Sequence, residues 1–212
     1  MKRIFYGVLG ICALTACLSA AAPKPAVVPG SSQWTVNTEF THPQQIVVRH
    51  TSDNKPIVFW YIILTLTNNT GNDVGFYPKC DLMTDTFQII PEGKDVIPAV
   101  FNQIKARHQK RYPFLASLEQ TDNKLIQGED NTKDIAVIWP DFDEKAKNIM
   151  LFITGLSNET AVVDHPIEKD ENGRPKQVFL RKTLELKYAV KSDPASRYGV
   201  NLEFQGKRWI MR

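Results

Sequence analysis

Lys105, Arg107, His108, Lys110 and Arg111 place five basic side chains within seven residues, the densest positive charge in the chain. At the C-terminal end of a helix such groups complement the negative end of the helix dipole. Exposed, they attract anionic lipid headgroups or the acidic polymers of a cell wall. Lys105, Arg107, Lys110 and Arg111 are therefore the candidate binding residues. Other reactive groups are sparse. His42, His50, His108 and His165 lack ligand spacing, and no Cys-x-x-Cys accompanies them. No Gly-x-Ser-x-Gly, His-Glu-x-x-His or phosphate-cradling Gly-Lys-Ser/Thr motif is present. A Cys80–His108 or Cys80–His165 dyad would need the fold to bring the pair together. The plainer reading of Cys80 is a buried small apolar residue. Acidic groups at Asp141-Phe142-Asp143-Glu144, Asp164–Glu171 and Glu129-Asp130-Asn131 offer oxygen ligands. None keeps the Asp-x-Asp-x-Asp-Gly register of a calcium loop, and they read as polar turns. The chain thus reads as non-enzymatic, with no catalytic residue, metal or cofactor assigned.

Composition narrows the classes further. With 212 residues, 42% of them hydrophobic, the chain has a globular composition, which excludes collagen, wholesale disorder and a disulfide scaffold. Its formal charge of +3 includes Lys2 and Arg3; without them 24 basic residues face 23 acidic ones. No global field is left to attract nucleic acid.

Those two residues open a leader. Lys2 and Arg3 precede an apolar run, Ile4 to Leu14, and small residues follow. The run is about half the length that spans a bilayer, which fits a signal peptide better than a membrane helix. Leu14-Thr15-Ala16-Cys17 resembles the lipobox of bacterial lipoproteins. That resemblance implies a leader over 1–16, a lipid on Cys17 and a membrane as partner through that anchor. Ordinary cleavage at Leu18-Ser19-Ala20 or Ala20-Ala21-Ala22 is the alternative. Residues 17–33, rich in proline and small side chains, read as a flexible linker. The rest is expected outside the cytoplasm, in the bacterial cell envelope or periplasm. The sequons at Asn68 and Asn158 are read as chance.

The elements that position these groups are mostly strands. Val178, Leu180, Leu184, Leu186, Tyr188 and Val190 share one face, interrupted only by Lys182. Tyr198, Val200, Leu202 and Phe204 alternate likewise, and Gln205-Gly206 reads as a hairpin turn before Arg208–Met211. Further strands are expected from Trp34 to Phe40, at Ile46–His50, 82–90, 135–139 and 149–153. Ile57 to Leu64 is apolar on both faces, so its odd face (Ile57, Phe59, Tyr61, Ile63) needs a cover. The segment suited to that is Val96–Tyr112, with Ile97, Val100, Phe101 and Ile104 at helical spacing, Pro98 in the first turn and Pro113 ending it.

These elements predict a mainly β protein, a β-sandwich of about nine strands with one helical insertion near 96–112, in a single domain over 34–212. The segment Tyr61-Ile62-Ile63-Leu64-Thr65-Leu66-Thr67-Asn68-Asn69-Thr70-Gly71-Asn72-Asp73-Val74 resembles the strand and Asn-rich turn of immunoglobulin-like domains in bacterial exported proteins. Gln127-Gly128-Glu129-Asp130-Asn131 and Lys207–Arg212 are similar to parts of uncharacterised envelope proteins. The resemblance implies an immunoglobulin-like fold and an envelope location, and carries no catalytic residue.

Three functions follow as expectations. The first is a lipid-tethered interaction or assembly module that contacts another envelope protein or an anionic cell-wall polymer. The second is a carbohydrate- or cell-wall-binding module, for which Trp34 and Trp209 should be exposed on one face. The third is a hydrolase, which needs convergent carboxylates in a cleft.

Overall fold

Strand β4 (Pro56–Asn68) is buried on both faces along most of its length. Trp60, Ile62, Leu64 and Leu66 point into the main core, while Phe59, Tyr61 and Ile63 point into a second, smaller one. A strand apolar on both sides must be covered on both sides, and the two coverings organise the fold. In this computed structural model residues 26–27, 33–49, 54–191 and 198–212 are described. The expected leader and Cys17 lie outside the described residues, and so does most of the expected linker.

Three strands flank β4. β2 (Asn37–Phe40) and β3 (Gln44–Arg49) pair with its two halves, and β10 (Gly128–Pro140) runs antiparallel to nearly its whole length. β8 (Ala116–Ser117) joins β10 in parallel and completes a five-stranded sheet. The opposing sheet has seven strands. Its path is β1 (Ala26–Val27), β12 (Thr160–Lys169), β13 (Pro175–Val190), β11 (Asn148–Thr154), β6 (Lys79–Thr84) and β7 (Ile89–Pro91), and β14 (Leu202–Met211) also pairs with β13. A small ladder joins β5 (Val74–Gly75) to β9 (Lys124–Leu125). Cys80, Leu82, Leu151, Ile153, Leu184 and Leu186 of the seven-stranded sheet share the main core with β4 and β10. The protein is therefore mainly β and sandwich-like. The strand number exceeds the nine or so expected because five pieces of two or three residues also pair.

Helix α1 (Pro98–His108) covers the outer face of β4, as the apolar odd face requires. Val100 and Ile104 are buried against Phe59, Tyr61, Ile63, Ala136 and Ile138. Each such side chain contributes about 1.5–3 kcal/mol by leaving water. The helix is shorter than Val96–Tyr112. Arg111 and Tyr112 both donate their amides to the His108 carbonyl, so Lys110 and Arg111 sit in the turn beyond it.

Three expectations are corrected. The C-terminal segment is not a hairpin: β14 runs unbroken through Gln205-Gly206 along β13, with a register shift between Lys187 and Tyr188. Gly206, at φ 143°, absorbs that irregularity, so glycine here marks a bulge and not a reversal. The strand expected at 82–90 is two strands, β6 and β7, joined by a turn in which Phe87 takes φ 65°. Ala26–Val27, read as linker, pairs with Val162 and Ala161 at the sheet edge.

Candidate functional site

The basic segment is divided by the fold. Tyr61, fully buried on β4, donates its hydroxyl proton to Gln44 Oε1 at 3.0 Å. Its oxygen then accepts from Arg107 Nη1 at 3.3 Å and lies 2.9 Å from His108 Nε2. A phenol has one proton and two lone pairs, which places the imidazole proton on Nε2. Burial, together with the Arg107 and Arg111 charges, lowers the His108 pKa and favours this neutral form. Burial likewise pushes the Tyr61 phenol up, against the opposing pull of Arg107. Arg107 Nη1 also reaches the Gln45 carbonyl at 3.2 Å. Arg107 and His108 are thus turned onto the sheet and hold the helix there.

Arg107 makes these contacts while still exposed, and Lys105, Lys110 and Arg111 are exposed without such partners on the sheet. The Lys105 ammonium lies 5.9 Å from the Phe101 ring centre, and the Arg111 guanidinium 5.2 Å from that of Tyr112. Among the described residues none of the three has a carboxylate at ion-pair distance. Three un-neutralised cations on a fixed base can engage an anionic surface without competition from acids of the same chain.

At the other end of α1 lies a recess of about 170 Å³, between the helix start, the 3-10 turn Leu118–Gln120 and the outer face of β10. Val96, Pro98, Phe101, Leu118 and Ile138 give it apolar walls, and Glu92 and Glu119 both line it. A Cβ on Gly93 would stand 3.5 Å from Glu119 Oε1, so that carboxylate lies over the turn that carries Glu92. Burial and the Glu119 charge both raise the Glu92 pKa. Sequence reasoning missed this pair, because the two glutamates lie far apart in the chain and neither belongs to a motif.

Other expected groups do not converge. Cys80 is fully buried in the inter-sheet core, and burial pushes its thiol well up, so it is protonated at neutral pH. His108 is on the far side of β4, and His165 sits on β12 within 3.8 Å of Glu168. Neither dyad is assembled. His42 meets Tyr188 at 3.2 Å, and His50 lies outside the described residues. Asp141 accepts from Trp60 Nε1 at 2.8 Å, and Asp170 closes the β12–β13 turn by accepting from the Asn172 and Arg174 amides. Among the described residues no three His, Cys, Asp or Glu side chains are grouped as metal ligands. Trp209 is 40% exposed beside Lys207 and Arg208, whereas Trp34 packs half-buried against the core.

On the outer face of the seven-stranded sheet two carboxylates are buried beneath cations. Glu185 Oε2 accepts from Arg208 Nε at 2.7 Å, with Lys187 3.3 Å from Oε1; Arg212 and Lys79 flank Asp81 at 3.4 and 3.3 Å. No protein-family model, curated protein or solved structure matches the chain.

Proposed function

We propose that this chain is a non-enzymatic exported protein of the bacterial cell envelope, held to a membrane by a lipid on Cys17, and that it acts as an interaction or assembly module. Its sandwich is read as immunoglobulin-like through the Tyr61–Val74 segment. The observation that carries the reading is the set of exposed, unpaired cations Lys105, Lys110 and Arg111 beside the Tyr61–Arg107–His108 clamp. Their counterpart is an anionic headgroup layer, an acidic cell-wall polymer or an acidic face of another envelope protein.

The tether supports this reading. Ala26–Val27 is paired to β12, which leaves residues 18–25 between Cys17 and the domain. Extended, that length reaches about 30 Å, comparable to the thickness of a bilayer core, so the domain stays close to its membrane. The carbohydrate-binding alternative has one favourable feature: Trp209 stands exposed at a groove with Thr35 and Lys207, with the Lys182 ammonium 5.2 Å from its ring centre. A sugar platform asks for a row of such rings, and Trp34 does not provide the second.

Crosslinking in intact cells, with mass spectrometry that also reads the N-terminal residue, tests the proposal. The expected result is an acylated Cys17 at the N-terminus and crosslinks from Lys105 or Lys110 to an envelope component. An unmodified chain beginning beyond Cys17, with no crosslinked partner, overturns it.

A further inference from the structure

The turn that follows α1 carries the most exposed large apolar side chain among the described residues. Phe114 is 89% exposed, although Tyr112 and Leu115 on either side of it are buried. The Leu115 amide donates to the Tyr112 carbonyl at 3.2 Å, and Pro113 restricts the backbone between them. Phe114 is thus held at the tip of a turn pinned on both sides, which presents its ring to the outside. A polar residue would serve the same turn without leaving apolar surface in water.

The ring stands beside the exposed cations. Three residues of extended chain put the Phe114 Cα within about 11 Å of that of Arg111, and Lys110 is one residue further. Two acids share a shallow recess with Phe114 and are engaged elsewhere: Asp122 pairs with Lys133 at 3.2 Å, and Asp134 accepts from the Thr65 hydroxyl at 2.6 Å. Charges alone suit any polyanion, and the ring separates the candidates. An acidic cell-wall polymer is hydrated along its length and offers the ring no apolar place. An acidic protein face takes the ring only where it also carries a matching apolar pocket. A bilayer supplies both parts at fixed depths, anionic headgroups first and hydrocarbon directly beneath. We infer that Lys105, Lys110, Arg111 and Phe114 form a membrane-docking tip, with the cations at the headgroups of anionic lipid and the Phe114 ring inserted below them.

The docking tip rests on the envelope-surface reading and fixes its counterpart as lipid. The test uses the chain from Leu18 to Arg212, which keeps every described residue and lacks only the leader and the acylated cysteine. Its binding is measured to vesicles of phosphatidylcholine mixed with phosphatidylglycerol, and to soluble poly-glutamate as an acidic polymer without hydrocarbon. The expected result is tighter binding to the vesicles, weakened by about tenfold or more in Phe114→Ala, as loss of one buried aromatic ring implies. Phe114→Trp should retain vesicle binding, because indole also seats at the interface. Phe114→Ala should leave poly-glutamate binding unchanged and melt with the parent, since an exposed ring adds nothing to the core. Vesicle binding that ignores Phe114→Ala but falls on charge reversal of the three cations overturns the lipid assignment and leaves the envelope-surface reading intact. Equal losses on vesicles and poly-glutamate, or tighter binding to poly-glutamate, also overturn it. Absence of binding to both probes at low salt removes the two readings together.

Discussion

The Tyr61 hydroxyl and the His108 imidazole meet at 2.9 Å where helix α1 lies on the five-stranded sheet. One phenol on β4 thereby binds the last turn of the helix, and Arg107 and Gln44 complete its hydrogen bonds. Because the hydroxyl is inaccessible to water, no solvent molecule can replace a lost partner. The orientation of the neighbouring exposed cations depends on this contact.

Removing that hydroxyl by Tyr61→Phe should lower unfolding free energy by about 1–3 kcal/mol, since Gln44, Arg107 and His108 each lose a partner. Urea denaturation with unchanged slope would show it. An unchanged midpoint would mean that apolar packing alone holds the helix.

The same contact makes stability respond to acid. The folded pKa of His108 is depressed below its ordinary 6.5, so the folded form takes up its proton less readily than the unfolded chain. Its contribution is complete above the unfolded value and is lost as pH falls from there through the folded one. His108→Gln keeps an N–H donor without titrating. Thermal melts from pH 8 to 5 should show a smaller decline for this variant than for the parent.

Glu185 is 1% exposed, and the cations above it hold it ionised. Burial pushes its pKa up, but Arg208 and Lys187 outweigh that effect and leave it lowered. Arg208→Ala should therefore destabilise the fold at pH 7, because it leaves the buried carboxylate short of a partner. The depressed pKa of the parent means that its stabilisation exists above the unfolded carboxyl value and disappears on acidification through the folded one. The gap between parent and variant should narrow as pH drops into that range. A gap independent of pH would point to lost packing by the arginine stem.

Gly155 takes φ 85° just after β11, and a Cβ there would stand 2.7 Å from the Tyr77 carbonyl and 2.8 Å from Pro78 Cα. Both contacts are backbone and cannot turn aside. Gly155→Ala should cost about 2 kcal/mol or more, from the left-handed conformation and the clash together. A melting temperature equal to the parent's would contradict so close an approach of the two segments.

The layers were legible where hydrophobic period was strong. The apolar odd face of β4 demanded a cover, and the period of Val100 and Ile104 supplied it, since both patterns depend on one element at a time. Pairing partners were not legible in that way. Gln205-Gly206 fits a turn or a bulge equally well, and only the neighbouring β13 decides for the bulge. The contact of Arg107 with the sheet was hidden for the same reason, because its partner Tyr61 lies 46 positions away. Lys182, the one break in its apolar face, proved to be paired with Glu159 beside Thr35. The Glu92–Glu119 pair arises from a turn and a 3-10 segment that the fold alone brings together.

Cosedimentation of the domain with vesicles containing anionic lipid, across a salt series, tests the envelope-surface reading most directly. Each exposed cation near such a surface contributes about 1 kcal/mol, and the interaction fades as the screening length shortens. Binding should weaken steadily with salt. Reversing Lys105, Lys110 and Arg111 together to glutamate should reduce it by about a hundredfold or more without lowering the melting temperature. Binding that ignores both salt and charge reversal, or no binding at low salt, would contradict the account.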